Sequence, residues 1–125
     1  MEPAAVVLLC TCPSADVGAE LARTLVTERL VACVNLVPGV RSIYRWDGQL
    51  CEDAETLLVL KANAADVDRI GDRVKALHPY TCPELIALPI VGGLPQYLGW
   101  LVAETQNRQM FSTSTPPDPA SPYRV

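Results

Sequence analysis

Asp47-Gly48 is the signature of a two-residue type I′ hairpin turn, and the segments it joins are longer than the rest of the chain can shelter. Val40 to Trp46 alternates its side chains before the turn, and a return strand runs from Gln49 to Lys61 after it. At ~3.3 Å per residue the return strand spans ~40 Å, whereas helices of about fifteen residues at ~1.5 Å per residue reach only ~22 Å. The hairpin is therefore expected to overhang its own domain. Ile43, Tyr44, Trp46 and Leu50 would then line an edge that templates aggregation unless another copy pairs with it. A closed homo-oligomer answers that demand. The alternative is that Pro38-Gly39 breaks the first segment and folds a shortened hairpin back onto a monomer.

The remaining elements follow from periodicity. Val6-Val7-Leu8-Leu9, an unbroken apolar run, predicts a central strand over about Ala4 to Thr11. Val17, Leu21 and Leu25 recur at helical spacing behind Ser14, a natural N-cap, and predict a helix to about Leu30. Leu30 to Leu36 reads as a strand that Pro38-Gly39 punctuates. Asn63 is expected to cap a second helix with Asp66 at its third position, striped by Val67, Ile70, Val74 and Leu77 and stopped by Pro79. Glu84 to Val91 reads as a short strand, and Pro95 opens a third helix that ends near Asn107. The order strand, helix, strand, strand, helix, strand predicts an α+β fold, the ferredoxin-like double split βαβ with an antiparallel sheet, here with a long β-hairpin and an extra C-terminal helix. One face of that sheet is expected to lie bare. The domain is placed over residues 1–110, with a disordered Pro-rich tail over 111–125 carrying Pro116, Pro117, Pro119 and Pro122.

Composition excludes several classes. The net charge is −4 and the lysines are only Lys61 and Lys75, so no basic stripe is available for a phosphate backbone, and no nucleic-acid partner is expected. The longest apolar stretch, Ala4 to Cys10, is far below the ~18 residues of a membrane span, and no membrane partner is expected. Met1-Glu2-Pro3 lacks the basic n-region of a secretory signal, and five cysteines form no even disulfide set. A cytoplasmic location with reduced thiols is the expectation. A single histidine and the lack of Gly-x-Ser-x-Gly, His-Glu-x-x-His or a Gly-rich phosphate loop leave catalysis without a team, so no enzyme is expected.

Val6-Val-Leu-Leu-Cys-Thr-Cys-Pro13, Arg29-Leu-Val-Ala-Cys-Val-Asn35, Val37-Pro-Gly39, Tyr44-Arg-Trp-Asp-Gly48, His78-Pro-Tyr-Thr-Cys-Pro-Glu84 and Tyr97-Leu-Gly-Trp-Leu101 occur in this order. Together they resemble the CutA family, the divalent-cation tolerance proteins, over roughly Val6 to Glu104. The resemblance implies a ferredoxin-like fold, a tight homotrimer built around the long hairpins, and a role in tolerance of copper and other divalent metals. The trimer plan is also similar to that of nitrogen-regulatory signal transducers, which bind small ligands between subunits. It implies a metal site at Cys10 and His78, with Leu77 standing where some relatives carry a second histidine. Glu84 is the candidate third ligand. No cofactor is required, and the ions implied are copper or another divalent metal.

Each candidate also has a structural reading. Cys12, Cys33 and Cys51 read first as small, partly buried hydrophobes, and Cys10 and Cys12 are expected not to reach one ion unless the strand ends or bends at Thr11. His78 suits a cap on the end of the second helix as well as it suits a metal. Glu55 and Lys61 share a face of the return strand, as a salt bridge across the oligomer or as part of a pocket at the subunit junction. Trp46, Tyr44 and Trp100 read as interface anchors. An intersubunit cleft is drawn from Glu55, Lys61, Tyr80 and Trp46. Three functions are thus in play: a metal-tolerance trimer, a regulatory trimer sensing a small anion in that cleft, and a scaffold that displays the tail to a partner.

Overall fold

The computed structural model describes residues 4–105. The proposed tail at 111–125, and the last residues of the 1–110 unit, lie outside that range. Strand β1 (Ala5–Cys12) is followed by helix α1 (Ala15–Thr27), strands β2 (Cys33–Trp46) and β3 (Gln49–Asn63), helix α2 (Val67–Leu77), strand β4 (Ile86–Pro89) and helix α3 (Pro95–Glu104). The strands form one antiparallel sheet in the order β2-β3-β1-β4.

Alternation along the two central strands builds the core. Leu8, Cys10 and Cys12 of β1 and Leu58, Leu60 and Ala62 of β3 are fully buried on one face, under Leu21 and Leu25 of α1 and Ile70 and Val74 of α2. Ser14 caps α1 as expected, its Oγ accepting from the Val17 N–H at 3.1 Å. The second face is not bare throughout. Helix α3 closes one end of it, with Leu101 buried against Ala5 and Ala32.

The turn at Asp47-Gly48 takes positive φ at both residues, 54° and 75°, which is the type I′ geometry. Pro38-Gly39 does not break the strand. Val37 pairs with Leu57 and Val40 with Glu55, so β2 carries one extra residue there, a bulge in which Gly39 takes φ 81°. Pairing then continues to Trp46 opposite Gln49. Strand β1 meets β3 only as far as Cys12 opposite Thr56. From Glu55 to Gln49, β3 therefore has only β2 beside it, and a two-stranded ribbon projects from the domain. The folded-back, shortened hairpin is not what forms.

Two helices end earlier than their sequence patterns suggest, for one shared reason. Arg29 adopts φ 62°, a left-handed conformation normally given to glycine, and closes α1 as a Schellman motif: its N–H bonds the Val26 carbonyl and the Leu30 N–H bonds that of Leu25. Its guanidinium then reaches the Ala103 and Glu104 carbonyls at 3.3 and 3.2 Å, while Thr105 Oγ1 donates to those of Leu101 and Val102. All four terminal carbonyls of α3 thus find side-chain donors, and α3 stops at Glu104 rather than near Asn107. Asn63 caps a 3-10 turn at Ala64–Asp66 that leads into α2, in place of α2 itself. Buried Asp66 is held there by Arg69 at 3.0 Å. Strand β4 is shorter than the predicted 84–91 and pairs only with Val6 to Leu9.

Candidate metal centre and the ribbon root

Residues two apart on a strand point the same way, and β1 stays regular through Cys12, so Cys10 and Cys12 both enter the core without any bend at Thr11. The expectation that they could not serve one ion is corrected on that ground. Across from them, α2 ends at Leu77 and the His78 N–H bonds the Val74 carbonyl at 2.8 Å. The His78 ring does not cap the helix. It folds inward, 7% exposed, with Nε2 2.8 Å from the Thr11 carbonyl and 3.7 Å from Cys12 Sγ. Nδ1 accepts the Tyr80 N–H at 3.0 Å, which places the ring proton on Nε2, donated to Thr11.

The donor atoms of Cys10, Cys12 and His78 all lie within 4.8 Å of one another. Zinc–ligand bonds of about 2.0–2.3 Å in tetrahedral geometry set donors roughly 3.4–3.8 Å apart, so a small contraction suffices and the residues fit a metal ion. Thiolate and imidazole suit soft or borderline ions such as copper and zinc rather than magnesium or calcium. The hydrogen bond between the two thiols, and then burial, pushes the Cys10 thiol above its usual value, and the same bond lowers that of Cys12.

Of the metal ligands read from the sequence, Cys10 and His78 come together and Glu84 does not join them. Its Oε1 accepts from Thr11 Oγ1 at 3.5 Å, and Thr11 points to the opposite face of β1 from the two cysteines. Cys12 takes the third place, and the Cys-x-Cys spacing on a strand was the signal for it. Cys82 is exposed, and Leu77 lies in a separate groove with Val17 and Pro79.

The other set of residues meets where the ribbon leaves the domain. The Tyr80 hydroxyl donates to Glu55 Oε2 at 2.6 Å, and the Tyr44 hydroxyl donates to Asp53 two residues further along the same face of β3. Burial, and then the Glu55 carboxylate, pushes the Tyr80 phenol up. The Asp53 carboxylate pushes that of Tyr44 up to about 12. A groove of about 370 Å³ lies between Tyr44, Trp46 and the Pro79–Cys82 loop. Lys61 stands apart near the other end of β3, its Nζ on Asn35 Oδ1 and 4.0 Å from Cys33 Sγ. Glu55, Tyr80 and Trp46 thus gather at the ribbon, and within one chain Lys61 is not their partner.

The family model described as CutA1 divalent ion tolerance protein matches residues 6–104. The chain belongs to the CutA1 family. It is 52% identical over 99 residues to the divalent-cation tolerance protein CutA of Thermus thermophilus, covering 79% of this chain and 96% of that one. It is 43% identical over 102 residues to the chloroplastic protein CutA of Arabidopsis thaliana, covering 82% of this chain and 56% of that longer relative. The solved structure of the Thermus thermophilus Cut A1 protein superposes with a TM-score of 0.79 at 51% identity, covering 81% and 98% of the two chains. CutA1 from Oryza sativa gives 0.80 at 43%, covering 84% and 96%. The ferredoxin-like fold read from the element order is the fold of this CutA1 chain. Among its described residues no helix is long and apolar enough to cross a membrane.

Proposed function

We propose that this CutA1 chain is a non-enzymatic, cytoplasmic homotrimer that contributes to metal tolerance by binding copper or another soft or borderline ion. The observation that carries the binding is the buried trio of Cys10, Cys12 and His78, two thiols and an imidazole within 4.8 Å of one another. The observation that supports assembly is the ribbon, whose Ile43, Trp46 and Leu50 stand 63%, 57% and 77% exposed on a single chain. The small-anion reading has less support, because the groove beside Tyr80 is flanked by Asp53 and Glu55 while Lys61 is engaged elsewhere. The scaffold reading concerns residues outside the described range.

Competition of the reduced protein against a chromophoric chelator for Zn(II) tests the site. Cys10→Ala and Cys12→Ala are each expected to weaken zinc binding by at least about tenfold, and His78→Ala by a similar or smaller factor. Unchanged affinity in all three variants would remove the ion from these residues.

A further inference from the structure

Building on the metal-binding reading above, we infer that loading the Cys10–Cys12–His78 centre releases Tyr80 from Glu55, so that the buried site and the root of the ribbon act as one linked switch. Both ring nitrogens of His78 are already committed, Nε2–H to the Thr11 carbonyl and the Nδ1 lone pair to the Tyr80 N–H. Suppose an ion takes Nε2. A neutral ring must then carry its proton on Nδ1, where it faces the Tyr80 N–H, donor against donor. Suppose instead the ion takes Nδ1. The lone pair that accepted the Tyr80 N–H is then spent. Either route costs Tyr80 its backbone bond: on the first a metal-bound histidine needs an acceptor at Nδ1 and meets a donor, and on the second the ion itself occupies the lone pair that Tyr80 used.

That backbone bond is one of three contacts that seat Tyr80. Its ring centroid lies 4.6 Å from that of His78, and its hydroxyl reaches across to Glu55 at 2.6 Å. Glu55 is the first residue of β3 beyond the last pairing with β1, which is Thr56 opposite Cys12. The same β1 residue therefore contributes a metal donor on one face and marks where the ribbon becomes free. Loss of the Tyr80 anchor on loading would loosen the ribbon at that joint and open the groove beside it.

Linkage makes the inference measurable, since a bond that must break on loading opposes loading. Tyr80→Phe keeps the backbone N–H and the ring and removes only the bond to Glu55. It is expected to bind Zn(II) about three- to tenfold more tightly than the unaltered protein. Glu55→Gln, which weakens the same bond from the other side, is expected to shift affinity in the same direction. Amide spectra of the unloaded variants verify that each is folded. Equal or weaker zinc affinity in both variants would overturn the coupling and leave the metal centre standing. Failure of the unaltered protein to bind zinc would overturn the metal-binding reading and the coupling with it.

Discussion

Truncating Leu58 to alanine is expected to lower the free energy of unfolding by about 2–5 kcal/mol. Leu58 is fully buried at the centre of the sheet, paired with Cys10 on one side and Leu36 on the other. Its Cδ1 lies 3.0 Å from where a Cβ on Gly18 would stand, so α1 already packs on it with its backbone. A helix held that close by its own backbone cannot settle into the space a truncation leaves, which favours the upper part of the range. The cavity would open beside Cys10, so metal affinity is expected to fall along with stability. Urea unfolding at matched protein concentration measures the effect. A loss under about 1 kcal/mol would show that the core is organised around other residues.

Placing lysines at Ile43 and Leu50 together is expected to dissociate the proposed trimer while leaving the domain folded. These residues share one face of the ribbon, since Ile43 pairs with Glu52 and Leu50 with Arg45 on alternate positions. Both lie in the part of the ribbon that extends past β1, so the core gains nothing from them. Each copy would bring two ammonium groups into a surface meant to be desolvated, at several kcal/mol per unpaired charge. Association is expected to weaken by at least about a thousandfold. Sedimentation of the double variant, with far-ultraviolet circular dichroism to confirm its fold, reads the outcome. A double variant with the mass of the unaltered protein at micromolar concentration would place the interface elsewhere.

The parts of this fold that were legible in the sequence are those fixed by neighbours in the chain. Asp47-Gly48 announced its turn because two successive residues had to accept positive φ. The ribbon's excess length followed from comparing rise per residue in strands and helices. What escaped detection depends on partners far away in sequence. Arg29 reads as an ordinary helical residue until its guanidinium is seen on the last turn of α3, some 75 positions later, offsetting a left-handed backbone. Pro38-Gly39 looks like a break, yet a bulge absorbs both the missing N–H and the positive φ while the ladder continues. The centre was half legible. Cys10 and His78 carried the family resemblance, whereas Cys12 was set aside as a small hydrophobe although residues two apart on a strand share a face. Glu55 and Tyr80 were both singled out, but their bond to each other depends on how the loop after α2 crosses the end of β1.

The most direct test of the central claim is the solution mass of the unaltered protein. Multi-angle light scattering at micromolar concentration is expected to give three times 13.5 kDa, because among the described residues only β2 pairs with the ribbon strand from Gln49 to Glu55, and Ile43, Trp46 and Leu50 stand exposed on it. A stable, monodisperse particle of 13.5 kDa would contradict the account, for it would show that the ribbon tolerates water alone.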